Sequence, residues 1–374
     1  MTTRPPARVG DAAAAVDTPA LLVDLDALER NLQKMAAFAS KAGVRLRPHA
    51  KTHKCPPIAL RQIALGAVGV CCQKVSEAEA MAAGGVGDIL VSNEIVGEAK
   101  VARLAALARQ VRVTVLADHP DMVAAYGAAA RRFGAELAVL VELRSGAVRA
   151  GVEPGPAALD LARRIVAEPA LHFAGLQAYQ GGAQHIRDFA ERREASERWI
   201  AAVAATKTLL AENGLSCELV TGAGTGTHVF EGRSGVFNEI QPGSYAVMDA
   251  DYGLNRDSEG GFVADFENSL FILTTVMSRN FADFAVVDAG VKAGNIDQAM
   301  PTVWERPGLT YVSAADEHGA IKVAAGGNAP HLGEKLRLVP GHCDPTINLH
   351  DWIVGVRHDT VEAVWPVAAR GAVL

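Results

Sequence analysis

From Val44 to Asp249, short runs rich in β-branched residues alternate with longer segments rich in Ala, Leu, Arg and Glu. This alternation constrains the fold more than any other feature of the chain. The runs are VRLRPH (from Val44), AVGVCC (from Ala67), GDILVSN (from Gly87) and VRVTVLAD (from Val111). They continue with ELAVLVEL (from Glu136), LHFAGLQAY (from Leu171), CELVTGAG (from Cys217) and SYAVMD (from Ser244). The intervening segments, such as GEAKVARLAALARQ and residues 184–213, have the composition of amphipathic helices. Strands separated regularly by helices build βαβ units and a parallel sheet. Eight runs over roughly 200 residues match a closed (β/α)₈ barrel in count and length; a doubly wound open sheet is the alternative.

After Tyr252 the pattern changes. SLFILTTVMS, FAVVDAG, LTYVSAAD, KLRLVP and DWIVGVR follow one another with short turns and no helix between them. That is the grammar of an antiparallel β domain. The expected division is a barrel at 25–255 and a β domain at 256–374. The early run PALLVDL (from Pro19), within residues 1–24, leaves the barrel to pair with the second domain.

Composition removes several classes of function. With 36 basic and 42 acidic residues among 374, the net charge of -6 offers no general attraction for nucleic acid. No apolar stretch approaches the length of a membrane span, and Asp11 and Asp17 interrupt any signal-peptide core. Five cysteines without a CxxC pair fit a reducing compartment, so a cytoplasmic location is expected.

Three motifs carry chemistry. RPHAKTHK (residues 47–54) ends the first barrel strand, at the face where such barrels build active sites. A lysine in a desolvated pocket with cations nearby loses pKa and becomes a Schiff-base nucleophile, which makes Lys51 a catalytic candidate. His49 and His53 flank it as proton carriers; a basic surface loop is the bland alternative. TGAGTGT (residues 221–227) follows the seventh strand run, where barrels commonly bind phosphate. Its glycines let backbone N–H groups close around an anion, unless the loop is a plain turn. No GK[ST] or GxGxxG pattern points to a nucleotide. A Schiff-base lysine and a compact phosphate cradle on one barrel indicate pyridoxal phosphate. PGHCDPT (residues 340–346), if extended, puts His342 and Asp344 on one face and Cys343 on the other. Imidazole plus carboxylate suits Mg²⁺ or Mn²⁺, although two ligands alone also fit a structural loop. The acidic stretch Asp316, Glu317 and His318 is equally ambiguous.

Together PHAKTHK, CCQKVSEAEA, GLQAYQG, TGAGTGT, QPGSYAVMDADY, DEHG and PGHCDPT resemble the D-threonine aldolase and D-serine dehydratase family, from about Thr18 to Gly371. The likeness is greatest to D-threonine aldolases and 3-hydroxy-D-aspartate aldolases. The resemblance implies a fold type III pyridoxal-phosphate enzyme with an alanine-racemase-like barrel, a β domain, and a homodimer. It implies that Lys51 carries the cofactor and that Gly222, Gly224, Thr225, Gly226 and Thr227 hold its phosphate. Tyr179 and Arg149 would contact the cofactor, Arg149 near the ring oxygen, and Gln73, Gln241 and Tyr245 are further candidates. His342 and Asp344 would bind a divalent metal, Mn²⁺ or Mg²⁺, beside the substrate's β-hydroxyl. His185 and His53, with Asp316 and His318, would be relay groups. Related enzymes carry a charged residue just before a Pro-Gly pair, facing the ring nitrogen; Gln241 stands there, implying a weaker electron sink. The implied reaction is retro-aldol cleavage of a D-3-hydroxy amino acid to glycine and an aldehyde. If the substrate is 3-hydroxyaspartate, its second carboxylate wants an arginine: Arg144, Arg233 or Arg279. The family's dehydratases tend to carry His-x-Cys at the metal motif, so Asp344 favours the aldolase over β-elimination of D-serine or 3-hydroxyaspartate. A non-catalytic carrier of the cofactor would not need the metal motif.

Overall fold

The computed structural model describes residues 4–146 and 149–374. The chain enters through strand β1 (Ala20–Asp24) and helix α1 (Leu25–Ala42). The Asp24 side chain accepts the Ala27 N–H at 2.9 Å and starts the helix; Gly43, with φ of 69°, ends it in the left-handed conformation.

Eight parallel strands follow: β2 (Arg45–Leu46), β3 (Val70–Cys72), β4 (Asp88–Glu94), β5 (Arg112–Ala117), β6 (Leu137–Glu142), β7 (Leu171–Ala178), β8 (Leu219–Gly222) and β9 (Glu239–Ile240). Their order is β2-β9-β8-β7-β6-β5-β4-β3. The two ends meet where His49 bridges Cys71 in parallel, with the Cys71 N–H on the Pro48 carbonyl at 2.9 Å. The result is a closed (β/α)₈ barrel.

Alternation along the strands separates two layers. Cys71, Leu90, Leu116, Leu140, Ala174 and Leu219, one from each of six neighbouring strands, fill the barrel. Their flanking residues, such as Val70, Ile89, Val115 and Val139, pack outward under the helices. Each large apolar side chain so buried contributes about 1.5–3 kcal/mol.

The eighth barrel strand is not the run from Ser244. Ser244–Ala246 is a 3-10 turn, and the two residues of β9 close the barrel instead. The alternation in SYAVMD imitates a strand, but the preceding Pro-Gly turns the chain at the barrel's rim.

The second domain contains β10 (Leu270–Ser278), β11 (Phe284–Val287), β12 (Thr302–Val303), β13 (Leu309–Ala314), β14 (Gly319–Val323), β15 (Lys335–Val339), β16 (Trp352–Arg357) and β17 (Thr360–Pro366). The main path runs β13-β14-β11-β10-β1-β16-β17, and β15 pairs with β10 and β12. β1 therefore belongs to this sheet, antiparallel to β10 and parallel to β16. The domain is not wholly β, because Cys343–Ile347 forms a helical turn. Among the described residues, no helix is long and apolar enough to cross a membrane.

Candidate active site

A polar cavity opens at the C-terminal end of the barrel. Beyond β2, a 3-10 turn (Ala50–Thr52) presents Lys51 to it. Lys51 Nζ lies 3.2 Å from Asp344 Oδ2, so the barrel lysine and the β-domain carboxylate face each other across one space. Burial pulls the ammonium pKa down, but Asp344 and Tyr179 outweigh it and the value ends above that of an ordinary lysine. Burial likewise opposes ionisation of Asp344, yet Lys51 and His342 hold its carboxyl below the usual range.

Gln73, Arg149, Tyr179, His185, Gly224, Thr225, Gln241 and His342 also line this cavity. The Arg149 guanidinium sits 5.3 Å from the centre of the Tyr179 ring. Thr225 Oγ1 accepts the Tyr245 N–H at 3.0 Å, fixing the glycine-rich loop against the turn after β9.

Among the residues expected around Lys51 and the phosphate loop, His53, Tyr245, Gly222, Gly226 and Thr227 do not line it. His53 is fully buried: Nδ1 accepts the Cys55 N–H at 3.1 Å and Nε2 meets Gln62 Oε1 at 3.3 Å. Burial pushes this imidazole down to about 4, leaving it neutral and without access to a ligand. His49 takes the outward place, its Nε2 within 3.1 Å of Ser92 Oγ, because the intervening 3-10 turn breaks the symmetry of HAKTH. The Tyr245 hydroxyl accepts from Gln62 in the core, so only its backbone serves the loop. Gly222 ends β8, where a Cβ would stand 2.6 Å from the Ala178 carbonyl. The Gly226 N–H goes to Gln184 Oε1 at 3.0 Å, and the Thr227 hydroxyl donates to Glu231 while accepting from Gln184. These residues shape the cradle from behind.

The metal motif has a different geometry from the expected extended one. Cys343 begins a helical turn, so strand alternation does not explain why His342 and Asp344 both reach the cavity. His342 precedes the helix and Asp344 lies in its first turn. Asp249 Oδ2 meets His342 Nδ1 at 2.8 Å and accepts the Cys343 N–H at 3.0 Å, leaving Nε2 as the free imidazole nitrogen. Asp249, His342 and Cys343 place one ligand atom each within 4.8 Å of one another. Cys343 is fully buried and does not line the cavity, unlike His342 and Asp344. The remaining donors, imidazole and carboxylate, suit a hard or borderline divalent ion.

A second histidine and aspartate lie close together without a hydrogen bond between them. His185 Nδ1 lies 2.6 Å from Asp251 Oδ2, and Asp251 is also paired with Arg187. Two aspartates of one turn thus meet one histidine each. Sequence reasoning missed both, since each pairs with a histidine far away in the chain; the DAD doublet was the available signal. It also missed Glu142, Gln177 and Gln298 in the lining. Conversely, Asp316 and Glu317 pair with Lys292 at the surface. Arg144 is paired with Glu153, Arg233 lies over Phe38, and Arg279 donates to carbonyls from Phe281 to Phe284. None of these lines the cavity.

Residues 23–251 match the alanine racemase N-terminal domain family, and residues 269–356 match a serine dehydratase domain family. A D-threonine aldolase from Arthrobacter sp is 48% identical over 98% of this chain and 96% of its own length. The chain belongs to the D-threonine aldolase and 3-hydroxy-D-aspartate aldolase family. A 3-hydroxy-D-aspartate aldolase from Paracoccus denitrificans (strain Pd 1222) is likewise 48% identical, over 98% of this chain and 95% of that one. The crystal structure of D-threonine aldolase from Filomicrobium marinum superposes with a TM-score of 0.96 at 50% identity, covering 99% and 100% of the two chains. Membership of the aldolase family therefore extends over both domains, including the cavity between them.

Proposed function

We propose that this chain cleaves D-3-hydroxy amino acids of the D-threonine type to glycine and an aldehyde, using pyridoxal phosphate and a divalent metal, Mn²⁺ or Mg²⁺. The observation that carries the reading is the meeting of Lys51 with Asp344 and His342 in one cavity, in a chain whose full-length relatives bear aldolase names.

The residues fit both groups. Lys51 reaches the cavity, and Gly224 and Thr225 face it from a loop so close to Gln184 that a Cβ on Gly224 would stand 2.4 Å from that side chain. Lys51 would hold the cofactor, Gly224 and Thr225 its phosphate, and Arg149 with Tyr179 its ring edge. His342 and Asp344 would hold the metal. When bound, pyridoxal phosphate accepts the electrons of the breaking Cα–Cβ bond, while the metal lowers the pKa of the β-hydroxyl.

The protein's own part is orientation and proton handling. Asp249 fixes the His342 tautomer, as carboxylates do for metal-bound imidazoles. His185 lies against Asp251 at ion-pair distance, and its Nε2 is the group suited to take up or return a proton in the cavity. Asp344 stands where the family's dehydratases tend to carry the cysteine of His-x-Cys, and Cys343 does not line the cavity, which supports the aldolase over a thiolate-bound zinc. All five cysteines are unpaired, in keeping with a cytoplasmic enzyme, and the family resemblance supports a homodimer.

Incubation with D-threonine and Mn²⁺ tests the reading. Acetaldehyde is the expected product; 2-oxobutyrate would instead mark the dehydratase, and no product would mark a carrier.

A further inference from the structure

The floor of the cavity contains a hydrogen-bonded chain whose direction is fixed by charge. Arg47 Nε donates to Glu239 Oε1 at 3.0 Å, and Arg45 lies 3.8 Å from the other oxygen of the same buried carboxylate. Glu239 Oε1 accepts the Thr221 hydroxyl proton at 2.9 Å. Thr221 Oγ1 then has only lone pairs for its other neighbour, and it accepts from Gln241 Nε2 at 2.7 Å. The second Gln241 amide hydrogen goes to Gln177 Oε1 at 2.8 Å, while Gln177 Nε2 donates back to Gln241 Oε1 at 3.0 Å. Reversing the Gln241 amide would set its carbonyl oxygen against a hydroxyl whose proton is already committed. It would also force Gln177 to turn. The charged pair below therefore sets both amides.

In this arrangement both Gln241 amide hydrogens are occupied. The second Gln177 amide hydrogen is the one left over in the pair, and Gln177 lines the cavity although only 2% exposed. We infer that Gln177, held in place by Gln241, Thr221 and Glu239, donates a hydrogen bond to the ring nitrogen of bound pyridoxal phosphate. The inference rests on the proposed cofactor. Lysine, the phosphate loop and Arg149 account for the cofactor's other polar groups, and the ring nitrogen remains for the floor. A donor there requires a lone pair on the nitrogen, so the ring stays unprotonated and its pull on electrons stays moderate. That suits a cleavage driven by loss of the β-hydroxyl proton and discourages removal of a proton from Cα. Gln241, which holds the expected position before Pro242 and Gly243, is then a positioning residue.

The test is the ¹⁵N resonance of ring-labelled pyridoxal phosphate bound to the full chain. The expected resonance lies in the range of unprotonated, hydrogen-bonded pyridine. Gln177→Glu should move it towards the pyridinium range, and Gln241→Glu much less. A pyridinium resonance in the unaltered protein overturns the inference while leaving the proposed function intact. So does a larger shift from Gln241→Glu than from Gln177→Glu, or a comparable shift from Glu142→Gln, whose buried carboxyl also lines the cavity with one unpartnered oxygen. A chain that takes up no pyridoxal phosphate overturns the proposed function, and this inference with it.

Discussion

Replacing Asp249 by Asn tests the proposed metal centre through a residue that the sequence did not suggest. Asp249 is 1% exposed and satisfies three donors: His342 Nδ1 at 2.8 Å and the Cys343 N–H at 3.0 Å on Oδ2, and the Tyr252 N–H at 2.9 Å on Oδ1. Asparagine offers one carbonyl oxygen to these three donors, so either orientation of its amide leaves a backbone N–H facing an NH₂ group. Leaving a buried donor unpaired costs about 1–3 kcal/mol of stability. The larger functional effect is on His342. Without the carboxylate, the proton is no longer anchored on Nδ1 and Nε2 is less basic. Loss of such a supporting group lowers metal affinity by about 10–100-fold, which is about 1.4–2.7 kcal/mol. Calorimetric titration of the metal-free chain with Mn²⁺ reads this directly, and a thermal melt confirms that the variant is folded. Cys343→Ala is the control, expected to bind Mn²⁺ normally because Cys343 does not line the cavity. A folded Asp249→Asn chain with unaltered Mn²⁺ affinity would refute the supporting role. A loss far beyond 100-fold would make Asp249 itself a ligand.

Lys51→Ala is expected to abolish the visible absorbance of bound pyridoxal phosphate in a folded chain; an unchanged spectrum assigns the cofactor to another residue. Gly224→Val should weaken cofactor affinity at least tenfold, measured by fluorescence titration, because the new side chain displaces Gln184 from Gly226 and Thr227; normal affinity would place the phosphate elsewhere. Glu142 is pushed by burial, and by its hydrogen bond with Glu94, from an ordinary 4.5 up to about 9. Between these values the unfolded state binds fewer protons than the folded one, so this group's contribution is full below 4.5 and is lost as pH rises towards 9. Glu142→Gln should therefore raise Tm at pH 8 by more than at pH 5, as read by calorimetry; an equal change at both would refute the shift.

The parts of the fold that were legible are those written in long local patterns. β4 to β7 carry five or more residues of strand-forming sequence each, and their helices are long enough to show composition. β9 was invisible because two residues, one of them Glu239, make no pattern. In the site, Lys51 stood out through its neighbours, but the 3-10 turn that separates His49 from His53 depends on tertiary packing. Asp249 and Asp251 acquire their meaning only when the chain brings His342 and His185 to them. The extended reading of PGHCDPT failed because a distant residue intervenes: the Asp249 contact to the Cys343 N–H stabilises a helical start there, and proline is tolerated in a helix's first turn.

The placement of Asp249 and Asp251 has a consequence for how this architecture can be taken apart. The Ala250 and Asp251 N–H groups donate to the carbonyls of Pro340 and Gly341, while the Asp251 side chain holds His185 and Arg187 on the barrel. One short turn is therefore both the seam between the two modules and the gauge that sets their spacing at the cavity. Gly341 is itself held tightly within the β domain, since a Cβ there would stand 1.8 Å from the Ala299 carbonyl. A chimera that joins this barrel to a related β domain must carry residues 249–251 and 340–344 from the same parent. Exchange at this seam without both halves separates the histidines from their aspartates, however well each module folds.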